Sequence, residues 1–305
     1  MTSIKTNASA MTALRSLQET NKMLADTQNR ISTGYKVSDA TDNAAYWSIA
    51  TTMRSDNKAL RTVQDALGLG SAKIDVTYTG LNSTIDVIDE IKSKLVAARE
   101  PGIDRSKIQD EIGQLQDQLA AIAESASFSG ENWLFVDSGA ANYAQIKSVV
   151  SSFTRSDTAV KVETIDVDTA SVKLFDAADQ SGILDSTFTT TGAGAFTVSV
   201  TTLDITAVGL DDTDLDDMIS NVDIKLADMT TAASDIGAIQ KRMETQMDFV
   251  RTLIDSIDRG IGILVDADMS KESTKLQALQ TQQQLGVQSL SIANSASQNI
   301  LALFQ

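Results

Sequence analysis

Five aspartates crowd into seven residues at Asp211-Asp-Thr-Asp-Leu-Asp-Asp217. Carboxylates at this density could hold a hard cation such as calcium. An EF-hand loop, however, needs Gly at its sixth position and a bidentate Glu at its twelfth, and this segment has neither. Aspartate also favours the positive end of a helix dipole, and that is the preferred reading: negative charge at a helix N-terminus. The pair Asp266 and Asp268 is read the same way, as a helix break and cap. The 305 residues include no Cys and no His, which removes a disulfide framework, a thiolate nucleophile and the commonest general base. No metal, no cofactor and no catalytic residue is expected, and the protein is not read as an enzyme.

The elements around these residues carry the stronger signal. Leu215, Val222, Met229, Ile236, Met243, Val250, Ile257 and Leu264 recur every seventh residue. Ile219, Leu226, Ala233, Gln240, Met247, Ile254 and Ile261 fall four later. This alternation is the a/d seam of a coiled coil, and at 1.5 Å per residue it spans roughly 75 Å. The methionines in it are read as adaptable core filler. Thr213-Asp-Leu-Asp216 is taken as the capping box that starts the helix. A second seam runs through Met53, Leu60, Leu67, Ile74, Leu81, Ile88 and Leu95. Gly68, Gly70 and Gly80 interrupt it, each costing about 1 kcal/mol of helix stability, and close packing is the expected reason. The single proline, in Glu100-Pro-Gly102, ends that helix. Ser106-Lys-Ile-Gln109 reads as a capping box, and Ile108, Ile112, Leu115, Leu119 and Ile122 give a shorter amphipathic helix.

Shorter helices are expected at the two ends. Residues 3–32 carry Ile4, Met11, Leu14, Leu17, Leu24 and Ile31, and Gly34 is the expected C-terminal stop. Residues 271–305 hold no charge after Lys275. There Leu276, Leu279, Leu290, Ala293 and Ile300 share a register with Gln283, Gly286 and Ser297. Leu285, Ile292, Leu303 and Phe304 widen the apolar face. Between 136 and 212 the heptads stop. Val160–Val167, Ser171–Phe175 and Ala195–Leu203 alternate like strands, and ten Asp or Glu stand against four Lys or Arg between 139 and 212. Ser127–Phe135 reads as a hairpin or tight loop, and Trp47 and Trp133 as buried anchors or contacts between subunits.

The matching lengths predict a mainly α fold: a nested antiparallel bundle of long helices with a small β-rich insertion at the tip. Three domains follow: 1–34 with 271–305, 35–135 with 213–270, and the insertion 136–212. The inner bundle has three helices and can bury its stripes. The terminal pair has two and leaves apolar faces open, so it is expected to be loose in a monomer and ordered against other subunits. Net charge of −16 argues against nucleic acid as a partner. No run reaches the ~18 apolar residues of a membrane span, and the N-terminus has no apolar core of a cleavable signal.

Several motifs resemble bacterial flagellin, closest to the short alphaproteobacterial type. Asn29-Arg-Ile-Ser-Thr-Gly34 is similar to the family's Arg-Leu-Ser-Thr-Gly. Asp39–Ala45, Ser48-Ile-Ala50 and Met53-Arg54 resemble the segment after it, and Ser127-Phe-Ser-Gly130 with Trp133-Leu-Phe resembles Phe-Asn-Gly…Leu-Leu. Asp266–Glu272, Gln283, Ile292-Ala-Asn294 and Ile300–Phe304 are similar to the closing helix. The resemblance implies a secreted filament subunit with terminal helices in an inner tube, the bundle in an outer tube and the insertion projecting into solvent. It implies as partners other copies of the chain, other flagellins, the flagellar type III export apparatus, an export chaperone and a cap protein. Leu14, Leu17, Leu24, Ile31, Leu285, Leu290, Ile292, Ile300, Leu303 and Phe304 would make the contacts between subunits. A hook–filament junction protein and a coiled-coil secretion translocator remain alternatives. Ile88-Asp-Glu-Ile-Lys-Ser-Lys-Leu95 departs from the basic segment of receptor-activating flagellins, so weak activation of the animal flagellin receptor is expected.

Overall fold

The computed structural model describes residues 6–156 and 159–302, with side chains described as far as Ser295. Five α-helices carry most of the chain: α1 (Ala8–Thr33), α2 (Ala44–Ala98), α3 (Arg105–Ser125), α4 (Asp212–Val265) and α5 (Met269–Ala302). Contacts divide the chain into two units, one of residues 1–58 and 254–305, the other of residues 59–253.

In the 59–253 unit the expected seam of α2 is buried from Leu60 to Leu95 at every seventh residue. The positions between complete it without a slip: Val63, Gly70, Thr77, Thr84, Ile91 and Ala98 are buried too. Two of these are polar, and the helix satisfies them locally. Thr77 Oγ1 donates to the Lys73 carbonyl and Thr84 Oγ1 to the Gly80 carbonyl, so neither hydroxyl is left unpaired in the core. On α4, Leu215, Val222, Met229, Ile236, Met243 and Val250 are buried. Gln240, at a seam position, turns its amide to Asp75 of α2 at 2.6 Å. The third helix buries Ile112, Leu119 and Ala123. Each such aliphatic side chain contributes about 2 kcal/mol of transfer free energy.

The glycines of α2 separate into two kinds. A Cβ at Gly70 would lie 2.3 Å from Val149 Cγ1, and one at Gly80 would lie 2.6 Å from Leu134 Cδ1. Both admit the segment that follows α3. Gly68 has nothing within 4 Å, so close packing does not account for it.

The helix starts also differ in register from expectation. Asp104, not Ser106, caps α3 and accepts from the Ser106 amide. Gln109 is thereby free to hold the insertion: its Oε1 accepts from the Ile205 amide and its Nε2 donates to the Leu203 carbonyl. The reciprocal box at α4 is Asp211 with Asp214, each carboxylate accepting from the other's amide, two residues before the expected pair.

The insertion lies along the helices rather than projecting freely. Its reason is apolar burial: Val149, Ile165, Val172, Leu174, Leu184, Val200, Leu203 and Ile205 are all buried. After a tight hairpin of β1 (Ser127–Phe128) with β2 (Glu131–Asn132), β3 (Phe135–Val136) pairs in parallel with β6 (Phe175–Asp176). The main hairpin pairs β4 (Ile146–Arg155) with β5 (Val160–Asp168), with a bulge after Val150. Strand β5 coincides with the alternation seen at 160–167, but β4 was not anticipated. Segments 171–175 and 195–203 are mostly turns, with strand only at β6 and at β8 (Thr197–Val198), which pairs with β7 (Phe188–Thr189). Side chains replace ladder partners there. Gln116 Nε2 donates to the Val200 and Leu203 carbonyls, and Lys173 and Asp176 form a buried ion pair at 2.6 Å. Burial pushes the Asp176 carboxyl up, but the Lys173 ammonium and the Ser138 and Ala178 donors outweigh it and hold it well below the usual carboxylate range. Trp133 is buried as expected, whereas Trp47 is 37% exposed and is no buried anchor.

In the other unit, α1 and α5 run antiparallel. Asn7 caps α1 through the Ala10 amide and donates to the Ala293 carbonyl. Gln283 Nε2 donates to Asn21 Oδ1 at 2.8 Å, and Arg30 pairs with Glu272. Gly34, at φ 76°, stops α1 in the left-handed conformation that favours glycine. A small core of Val37, Ala50, Ile261 and Val265, with Met53, Ile257 and Leu264 against it, joins residues 44–58 of α2 to residues 254–265 of α4.

Candidate functional site

The aspartate block resolves into helix-end chemistry. Asp211, Asp214 and Asp217 accept from the Ala193, Gly194 and Thr191 amides, pinning the 191–194 loop to the positive end of α4. Asp212 and Asp216 pair with Arg99, and Asp212 also with Arg105. Among the described residues no three carboxylates are arranged to hold a metal ion. The Asp214 carboxylate is held below its ordinary range, first by the Thr190 hydroxyl. Its buried Oδ1 has no hydrogen-bond partner but lies against Gly192, where an added Cβ would come within 2.5 Å.

Exposed apolar side chains occur on the 59–253 unit too, Leu69 and Phe249 among them, but the terminal helices combine theirs with a seam that is itself only half-buried. The intrachain seam of α1 runs through Ala13, Leu17, Thr20, Leu24, Thr27 and Ile31, of which only Thr20 and Thr27 are fully buried. On α5 it runs through Glu272, Leu276, Leu279, Gln283, Gly286, Leu290 and Ala293. This is the register anticipated for the last helix. At Gly286 the helices come close: a Cβ there would sit 3.1 Å from Leu17 Cδ1. The seam is polar at several levels, and Thr27 Oγ1 and Glu272 Oε2 are buried without a hydrogen-bond partner.

The ten side chains singled out for subunit contacts therefore fall into three groups. Leu17, Leu24, Ile31 and Leu290 face the partner helix of the same chain and are half-buried. Leu14, Leu285 and Ile292 are exposed, Ile292 at 71%. Ile300, Leu303 and Phe304 lie outside the described side chains. Met11 and Val287, also exposed, extend the open set. A surface helix usually turns such residues inward, and here they point away from the seam that the described residues of the pair make.

The connectors between helices are knitted backbone to backbone. Lys36 and Val37 amides donate to the Val265 carbonyl, the Ala267 amide donates to the Gly34 carbonyl, and Lys36 Nζ reaches the Ile263 carbonyl at 2.7 Å. These bonds satisfy carbonyls that the end of α4 would otherwise leave open. Arg54 lies over the Tyr35 ring, 5.1 Å from its centroid. Sequence periodicity shows no trace of this clasp; its only local signal is the Gly34 stop.

The family model of the bacterial flagellin N-terminal helical region matches residues 4–137, and that of the C-terminal helical region matches residues 219–304. Flagellin C of Rhizobium meliloti strain 1021 is 52% identical over the whole of both chains. A flagellin of Brucella melitensis biotype 1 is 44% identical, again with full coverage of both. A crystal structure of Bacillus cereus flagellin, 16% identical, aligns with TM-score 0.40 over 62% of this chain and 88% of that one. The unmatched stretch between the two family regions contains the β4–β5 hairpin and the Lys173–Asp176 pair. With both helical regions matched in order and full-length identity above half, the chain belongs to the bacterial flagellin family.

Proposed function

We propose that the protein is the structural subunit of a flagellar filament, a helical homopolymer used for swimming. The observation that supports this most is the apolar set Met11, Leu14, Leu285, Val287 and Ile292, left uncovered by the α1–α5 seam. Burying it against other copies through heterologous, non-closing contacts builds a helical lattice. In this reading 1–34 with 271–305 forms an inner tube, 35–135 with 213–270 an outer tube, and 136–212 the outward, variable segment. The subunit leaves the cell unfolded through the flagellar type III apparatus, with an export chaperone inside and a cap protein at the growing end, and other flagellins can join the lattice. A chain without cysteine suits unfolding and refolding without disulfide chemistry.

The receptor expectation gains a structural argument. Lys92 and Lys94, the cations of the 88–95 stretch, are tied to Asp223 and Glu111, while Asp89 and Glu90 are exposed. The surface offered is acidic, and weak receptor activation follows; a reporter-cell response equal to that of a strongly active flagellin overturns it. The test of the main proposal is electron microscopy of purified protein after a polymerisation trial. Filaments with a central channel are expected; a soluble monomer at every concentration and salt tried overturns the reading.

A further inference from the structure

The chain has nine methionines and no cysteine, so thioethers are its only sulfur. The described methionines divide sharply by location. Met218, Met229 and Met243 are fully buried within the 59–253 unit, and Met53 and Met247 are half-buried. Met11 on α1 is 60% exposed, Met23 on α1 38% and Met269 at the start of α5 47%. All three exposed thioethers thus belong to the terminal helix pair.

We infer that Met11, Met23 and Met269 form a peroxide-sensitive set whose oxidation blocks assembly. This rests on the filament reading above. In the reaction the thioether sulfur lone pair attacks one oxygen of hydrogen peroxide, the O–O bond breaks, and water leaves after proton transfer. Sulfur is oxidised to the sulfoxide and peroxide is reduced. Susceptibility follows accessibility, which places these three ahead of the buried bundle methionines. The product turns a flexible apolar side chain into a polar hydrogen-bond acceptor. Met11 and Met23 sit on the same helix as exposed Leu14, on faces that a neighbouring copy would cover. A sulfoxide there must be desolvated without a matching donor, which is costly. The buried Met218, Met229 and Met243 of the 59–253 unit are shielded, so an oxidised subunit keeps that core and fails only to add to a filament. The chemistry is reversible by sulfoxide reduction, and a filament already formed shields the same three sulfurs.

The test treats full-length protein with dilute hydrogen peroxide, maps sulfoxides by peptide mass spectrometry, and measures the critical concentration for polymerisation by sedimentation. Sulfoxide is expected at Met11, Met23 and Met269 before Met218, Met229 or Met243. The critical concentration should rise about tenfold or more, with unchanged helical circular dichroism. The M11L/M23L/M269L variant should show the same critical concentration after peroxide as it shows before it, and assembled filaments should show slower oxidation at the three positions. Oxidised wild-type protein that polymerises at its original critical concentration overturns the inference, as does equal loss in the triple variant. If untreated protein never polymerises, the filament reading falls. The order of sulfoxide formation then still decides whether the three positions are the sensitive set.

Discussion

Two helical assemblies in this chain obey the same heptad arithmetic and end up with different surfaces. In the 59–253 unit, α2 and α4 meet along seams filled by Leu, Ile, Val and Met, α3 adds Ile112 and Leu119, and the insertion seals the flank through Val149 and Leu174. In the terminal pair, α1 and α5 meet along a seam that includes Thr20, Thr27, Gln283, Gly286 and Glu272, with Leu14, Leu285 and Ile292 facing outward. Repeat length alone therefore does not set self-sufficiency. It depends on how many helices share the core and on whether the seam is apolar. The three-helix unit buries its α2 seam from Leu60 to Leu95, whereas the terminal pair leaves Leu17, Leu24 and Leu290 half-buried; on the proposed reading the open face of that pair is what other copies cover.

The largest way to break this contrast is by charge on the open face. Ile292→Asp or Leu14→Asp should abolish filament formation while leaving the melting of the 59–253 unit unchanged, as checked by sedimentation and thermal circular dichroism. Normal filaments from both variants would remove the assembly role from this face. Leu24→Asp and Leu290→Asp should also block assembly, but by disrupting the intrachain seam. Hydrogen exchange reads the same contrast without mutation. Amides of α1 and α5 in the monomer should exchange about a hundredfold or more faster than those near Leu81 and Val222, since local opening follows sparse apolar contact. Equal protection in both regions would show the pair to be self-sufficient.

Within the closed unit, Leu119→Ala should cost about 3 kcal/mol in denaturant unfolding. A cost under about 1 kcal/mol would mean that α3 is not a true third rod. The insertion has its own lever. Asp176→Ala strands the Lys173 ammonium, and breaking a buried pair costs about 3–5 kcal/mol. Because the Asp176 carboxyl is held below its unfolded value of 3.8, its stabilisation is present above about pH 4 and is lost as pH falls further. The gap between wild type and variant should close on acidification; a gap constant from pH 7 to pH 2 would contradict the pairing. The smallest effects separate two glycines. Gly70→Ala should destabilise by about 1–3 kcal/mol through its clash with Val149, whereas Gly68→Ala, with open space around it, should stabilise by up to about 1 kcal/mol. Like effects at both sites would refute that distinction.

The helical skeleton was legible because a period of seven survives any detail of packing. Leu67 or Ile236 can be placed in a core from spacing alone, and so could the α5 register with its Gln and Gly. The insertion was less legible because its order comes from side chains that hydrogen-bond to turn backbone. Gln109 and Gln116 on α3 hold residues 200–205 from a distance of more than eighty positions in sequence, and no local pattern records that. Strand β4 was hidden by its Lys and Ser residues and by the bulge that switches its buried face. For the site, apolar residues on the end helices were readable, but which of them the pair itself consumes was not. That division depends on the antiparallel pairing of α1 with α5, which brings Leu17 against Gly286 and leaves Leu14 outside.

The hydrogen bond from Asn7 to the Ala293 carbonyl closes a loop of 286 residues. Closing a loop of that size from an unfolded chain is entropically expensive, and the cost grows with length. The clasp between Gly34–Val37 and Val265–Ala267 shortens that loop, because it holds the start of α5 beside the end of α1. A chain still emerging from the ribosome, or cut before Met269, has α1 but no partner for it. The exposed set Met11, Leu14, Leu285, Val287 and Ile292 is therefore gathered on one helix pair only when both ends of the chain are present.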